Sequence, residues 1–205
     1  MQQIIGYIHN NSIIDTQTAA ENNLNTQSLE PIYFTDTPNA HEIIRHTCAH
    51  LLAEAIKALY PEAKFFVGPV VDEGFYYDFK VDSKIGVDDL ATIESKMKEI
   101  AKKGHKLTKI HLSRKEAIER FSGDELKQAV MSKIEGDDFS IYQQGDFEDL
   151  CRGPHLPHLK LLQAFKLTKI SGAYLGGDED SEVLTRIYGI AFAEKENLKQ
   201  YLFQL

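Results

Sequence analysis

The sequence predicts an α+β fold: an antiparallel sheet with packed helices, an α/β sandwich, preceded by a short segment that contains a β-hairpin. Three observations carry this reading. Apolar residues recur at helical spacing over 42–60 and 88–103. The last third alternates as two long strands around a turn-rich stretch. Strands and helices mix without a regular βαβ alternation, which disfavours a doubly wound parallel sheet.

Residues 4–15 read as two short strands around Asn10-Asn11-Ser12, a hairpin. Residues 16–40 are rich in Thr, Asn and Gln and are broken by Pro31 and Pro38. They are expected to form a linker with one brief strand near Ile32–Phe34. The main domain should begin near His41, dividing the chain into an N-terminal segment, 1–40, and a domain, 41–205. From Glu42 to Tyr60, Ile44, Cys48, Leu51, Leu52, Ala55, Ile56 and Leu59 form one apolar stripe, and Pro61 ends the helix. Cys48 points with that stripe and reads as a small buried hydrophobe. Ala63–Phe79 reads as strand, a turn at Asp72-Glu73-Gly74, then strand. Asp88–Lys103 turns Leu90, Ile93, Met97 and Ile100 inward, and Gly104 stops it. Lys106–Leu112 alternates as a strand. Ser113-x-x-Glu116 is a capping-box pattern opening a helix to about Phe121. A short helix near Asp124–Lys133 and a strand near Phe139–Tyr142 follow. Ala164–Tyr174 and Val183–Ala193 should pair antiparallel across Leu175–Ser181, and Glu194–Leu205 should close as a helix.

At 205 residues, 42% hydrophobic and 26% charged, the chain can bury a core. No apolar run approaches the ~20 residues that span a bilayer, so no membrane partner is expected. The N-terminus lacks the basic start and apolar run of a signal peptide. Two cysteines suit a reducing compartment, and a cytoplasmic location is the expectation. A net charge of −8 opposes an unaided grip on nucleic acid. The charge is uneven, however: nine lysines and arginines crowd Lys96–Arg120. They form either a solvated helix-and-strand face or a weak phosphate-facing patch.

The chemistry concentrates in two short motifs. His46-x3-His50 places two imidazoles on one helical face, beside the apolar stripe. Cys151-Arg-Gly-Pro-His155 lies in a turn-forming sequence, where Gly153 and Pro154 fix a sharp path. If folding joins the motifs, three imidazoles and one thiol converge. Such a set binds a soft divalent metal or activates water.

Four motifs then occur in one order: Arg45-His-Thr-Cys-Ala-His50-Leu-Leu-Ala, Gly68-Pro-Val-Val-Asp-Glu-Gly-Phe-Tyr-Tyr-Asp78, Asp149-Leu-Cys-Arg-Gly-Pro-His155 and Arg186-Ile-Tyr-Gly189. Together they resemble the N-terminal editing domain of bacterial threonyl-tRNA synthetases, related to the alanyl-tRNA synthetase editing domain. The resemblance covers roughly His41 to Leu205. In that family a complete β-grasp domain precedes, of which residues 1–40 hold room for only the second half. An aminoacylation core follows, so the chain reads as a portion of a longer enzyme.

The resemblance implies hydrolysis of the ester joining misattached serine to the terminal ribose of threonine tRNA. One methyl distinguishes threonine from serine, worth only ~1–3 kcal/mol, so a second hydrolytic site is needed. The implied catalytic set is His46, His50, Lys127, Cys151 and His155, with Lys133 the alternative lysine. Either histidine could activate water while the other fixes its position. Cys151 is nucleophile, metal ligand or polar anchor for water, and ester hydrolysis favours the anchor. His155 could hold a second water. Asp149 would receive the seryl ammonium, Lys127 would face the leaving oxygen, and Gly68 and Tyr77 would line the pocket. No metal is required in the threonine-type family, whereas alanine-type relatives use equivalent residues for zinc. Zinc on His46, His50, Cys151 and His155 is the less favoured reading, because four protein ligands leave no position for water. The implied partners are the 3′ end of misacylated threonine tRNA and the aminoacylation and anticodon-binding domains. Two alternatives stand beside this: a zinc-stabilised tRNA- or partner-binding module, and a freestanding deacylase.

Overall fold

Ile4–His9 (β1) and Ser12–Asp15 (β2) form the expected hairpin. Asn10 and Asn11, both at positive φ (49° and 60°), make the two-residue turn that matches strand twist. The next segment is not plain linker. Asp15 accepts the Thr18 N–H at 2.8 Å and so caps a helix, Thr16–Glu21 (α1). The brief strand is Glu30–Tyr33 (β3), on the other edge of β1. The structure is a computed structural model describing residues 3–72, 74–178 and 180–204. Glu73 of the expected turn, Glu179 of the turn-rich stretch and Leu205 of the closing helix lie outside the described residues.

The central helix, Pro38–Leu59 (α2), starts four residues before the expected position, because Pro38 suits the first helical turn. Its apolar stripe is buried as predicted, Cys48 included, with Leu59 only partly covered. Lys64–Phe65 (β4), Val70–Val71 (β5) and Gly74–Lys80 (β6) follow. Phe75, Tyr77 and Phe79 alternate onto the α2 side of β6 and are all buried. Leu90–Lys103 (α3) buries Ile93, Met97 and Ile100 and ends at Gly104 in the left-handed conformation.

Leu107–Ser113 (β7) leads through the predicted capping box into Arg114–Arg120 (α4). Glu125–Ser132 (α5) is capped by Asp124. Asp138–Gln144 (β8) is longer than expected. A further strand, Phe147–Leu150 (β9), is short and partly polar and escaped the sequence reading. Ala164–Tyr174 (β10) and Val183–Phe192 (β11) pair antiparallel from Ala164↔Phe192 to Tyr174↔Val183. Lys195–Gln204 (α6) follows.

Among the described residues there are three antiparallel sheets: β2-β1-β3, β10-β11-β6-β4 with β5 on β6, and β7-β8-β9. Helix α2 packs on β6, β11 and β9, with α3 against it. One core therefore joins both helices, the large sheet and Ile5 and Ile32 of the N-terminal sheet. The outer face of β6 and β11 is polar. Arg186 and Asp78 face each other in register, joined by two hydrogen bonds of 2.6 and 2.7 Å, and the guanidinium lies over Tyr76. No described helix is long and apolar enough to cross a membrane.

Candidate active site

Helix α2 presents His46 and His50 one turn apart, their ring centroids 5.2 Å from each other. The segment after β9 carries Cys151 and His155 to the same place. Its path is fixed from both sides: the Cys151 N–H donates to Ser140 O (3.0 Å) and Ser140 Oγ donates to Cys151 O (2.6 Å). Gly153 sits at φ +82° with the Tyr142 hydroxyl where a Cβ would be, so only glycine fits. The Gly153–Pro154 peptide is cis. The His155 ring stacks 4.2 Å from His46 and 4.3 Å from His50. One donor atom from each of His46, His50, Cys151 and His155 falls within 4.8 Å of the others.

The placement of protons fixes two tautomers. Pro154 O can only accept, so His46 Nδ1–H donates to it at 3.1 Å. Thr47 Oγ1 gives its single proton to Ile43 O (2.8 Å) and also accepts the Leu156 N–H (2.9 Å). Its contact with His155 Nδ1 at 3.2 Å therefore has the imidazole as donor. Both Nε2 atoms are left as bare lone pairs, each 3.2 Å from Cys151 Sγ. One S–H cannot serve both. The remaining lone pair suits an incoming proton donor or a Lewis acid, and carbonyl- or hydroxyl-held Nδ1–H groups are the usual support of metal-ligating histidines. Three imidazole nitrogens and one sulfur thus make a donor set that fits zinc chemically, and the unpartnered buried Nδ1 of His50 agrees with that.

Burial sets the charge states. It lowers the His46 imidazole, lowers His50 to about 3 and holds His155 well below the ordinary imidazole range, the last aided by its two imidazole neighbours. It pushes the Cys151 thiol up to about 12. At neutral pH the metal-free cluster is therefore three neutral imidazoles and a thiol, which removes the thiolate nucleophile and leaves bases and a polar anchor.

Behind His50 lies a buried charge network. Asp149 is ion-paired with Lys127, accepts the Tyr77 hydroxyl and lies 3.7 Å from His50 Nε2. Lys127 Nζ also donates to Phe66 O at 3.0 Å. Burial raises the Asp149 carboxyl, but Lys127 and the hydrogen bonds outweigh it and hold the group below the carboxylate range. Gly68 packs on the Tyr77 ring so closely that any side chain would displace it. The structure thus brings together His46, His50, Lys127, Cys151, His155, Tyr77, Asp149 and Gly68. Lys133, in contrast, is exposed at the end of α5.

Three supporting residues escaped sequence reasoning: Asp15, Thr47 and Tyr142. Asp15 Oδ2 accepts both the Tyr142 hydroxyl (2.6 Å) and the His155 N–H (2.9 Å). The only local signal was its helix-capping position. Nothing in the sequence links it to a loop 140 residues away.

A cleft of about 760 Å³ opens onto the cluster through His46, with Pro154, Arg45 and Pro69 on its walls and Phe192 and Tyr201 at its rim. His41 lines it too and is held by Asp36 at 3.0 Å. An α+β domain with a cluster of imidazoles and one thiol, half-open to a cleft, defines a site for moving protons on a polar substrate or for holding a soft divalent metal. Comparison with known proteins narrows the class. Residues 139–188 match the family described as threonyl and alanyl tRNA synthetase second additional domain. Threonine--tRNA ligases of Helicobacter pylori and Helicobacter acinonychis are each 61% identical over 208 aligned positions, 99% of this chain and 34% of the relative. That of Helicobacter hepaticus is 63% identical over 205, all of this chain and 33% of the relative. The chain thus spans about a third of the length of these relatives.

Proposed function

We propose that this chain is the editing domain, over 41–205, of a threonine--tRNA ligase and hydrolyses misacylated seryl-tRNA(Thr) to serine and tRNA. The observation that carries the reading is the pair of bare Nε2 lone pairs converging on the Cys151 thiol beside the cleft. His46, the cluster imidazole that lines the cleft, takes a proton from water at Nε2 as the water oxygen attacks the ester carbonyl. The C–O bond to the ribose then breaks, and His46 passes the proton it took to that departing oxygen. Cys151 anchors the water, and His50 and His155 hold its surroundings. Asp149 receives the seryl ammonium and Lys127 faces the leaving oxygen, so substrate exchanges their mutual ion pair for its own contacts. The partners are the 3′ end of the tRNA and the aminoacylation and anticodon-binding parts of the synthetase, in the cytoplasm.

A second reading has the four-donor set in its favour: zinc held by His46, His50, Cys151 and His155. A bound zinc would supply Lewis acidity or fold stability there. One experiment separates the two. Deacylation of seryl threonine tRNA is measured with and without EDTA, for the parent chain, His46→Ala and Cys151→Ala. We expect turnover that survives EDTA and falls about 100-fold or more in His46→Ala. Unchanged turnover in both variants rejects the site, and loss on chelation restored by zinc establishes the metal reading.

A further inference from the structure

At the N-terminal end of α6 lies a second concavity. Lys98, Lys102, Lys160 and Lys195 stand around a groove of about 480 Å³ floored by Leu162 and Phe165. No acidic side chain lines it among the described residues. Lys98 is answered by Glu94 at 2.6 Å, but Lys102, Lys160 and Lys195 have no ion-pair partner among the described residues.

The grouping is built by the fold. Lys98 and Lys102 are one turn apart on α3. At Gly104 the chain leaves the helix, and the Lys160 Cβ lies 3.3 Å from where a Cβ at Gly104 would stand. The Leu159 N–H donates to His105 O at 2.9 Å and locks Lys160 against the helix end. Lys195 opens α6 from the other side.

Scattered lysines on solvated helices need no explanation, and Lys102 also complements the C-terminal end of the α3 dipole. Two features set this group apart. It gathers charge from three separated segments into one concavity, where field lines focus. It also does so in a chain whose net charge is −8. Lysine ammoniums on flexible stems suit phosphodiesters read without sequence preference. Helix α6 runs from Lys195 at the groove to Tyr201 at the cleft rim, a rise of roughly 9 Å.

We propose that this groove takes the phosphodiester backbone of the RNA whose aminoacylated end enters the cleft, a contact separate from the hydrolytic cluster. The inference rests on the editing reading for the identity of the RNA. Its test does not depend on hydrolysis. The full chain is titrated with a fluorescent RNA hairpin bearing a single-stranded 3′ tail, at several salt concentrations. Lys102→Glu/Lys160→Glu is compared with Lys84→Glu/Lys115→Glu, which changes the charge equally outside the groove. We expect the groove variant to bind at least tenfold more weakly at low salt, with a log K against log salt slope shallower by about 1.5. The control should lose less than threefold, and both should melt like the parent. Turnover of a seryl ester of adenosine, which has no backbone, should be untouched by the groove variant. Absence of RNA binding by the parent, or equal losses in both variants, overturns the groove. Absence of ester turnover by the parent alone overturns the hydrolase reading instead.

Discussion

At the scale of single residues, the protonation pattern depends on groups outside the donor cluster itself. Thr47 fixes the His155 tautomer, and Asp15 holds the same residue by its backbone. Asp15→Ala removes a buried carboxylate that accepts from two donors beyond its helix cap. Hydrogen bonds to a charged group are worth about 1.5–3 kcal/mol. Loosening the 151–155 loop by that amount should lower kcat for deacylation ten- to a hundredfold while KM stays within about threefold. Tyr142→Phe, which removes one donor and leaves the His155 contact, should cost less than fivefold. Equal kcat in Asp15→Ala and parent would show that the carboxylate only caps α1. The two motifs that converge were legible because each is a local pattern. Asp15 was not, since its role exists only once β2 meets the loop in space.

At the scale of elements, the long amphipathic and alternating stretches were readable because burial imposes their period. Helices α2 and α3 and strands β10 and β11 show this, and the capping box at Ser113–Glu116 gave α4 its start. The misses have the opposite character. Helix α1 has only Ala19 buried, and β9 is four residues long, so neither offers enough period to detect. The motif residues Asp78 and Arg186 turn out to hold β6 to β11 rather than to line the cleft. Asp78 is 2% exposed, so Arg186→Ala would strand a buried carboxylate. Breaking such a pair typically costs about 3 kcal/mol. Urea unfolding should show that loss, whereas Asp78→Asn/Arg186→Ala should recover part of it. An unchanged midpoint in Arg186→Ala would mean that the pair contributes nothing net.

At the scale of the molecule, two buried groups pull stability in opposite directions with pH. The folded chain holds His50 near 3 against an ordinary 6.5, chiefly through burial. Below 6.5 the unfolded chain binds a proton that the folded one refuses, so stability falls with pH, by about 2 kcal/mol at pH 5 from this residue alone. His46 and His155 shift the same way and add to it. Glu54 does the reverse. Burial raises it to about 7 despite the Gln144 amide at 2.8 Å, so its protonated form stabilises the fold below pH 7 and that contribution is lost as pH rises through 7. Glu54 thus offsets only part of the histidine effect in the parent. Metal-free Glu54→Gln should therefore lose at least about 2 kcal/mol between pH 7.5 and 5 in urea titrations, and a flat profile would contradict the assignment.

The reach of Asp15 across the molecule bears on how small this unit can be made. Trimming to 41–205, the span the motifs occupy, would keep every proposed catalytic side chain. Such a piece would discard the anion that tethers His155, along with Ile5 and Ile32, which share the core of α2. The smallest working unit is thus larger than its chemistry, because the loop bearing Cys151 and His155 is tied down from the opening hairpin.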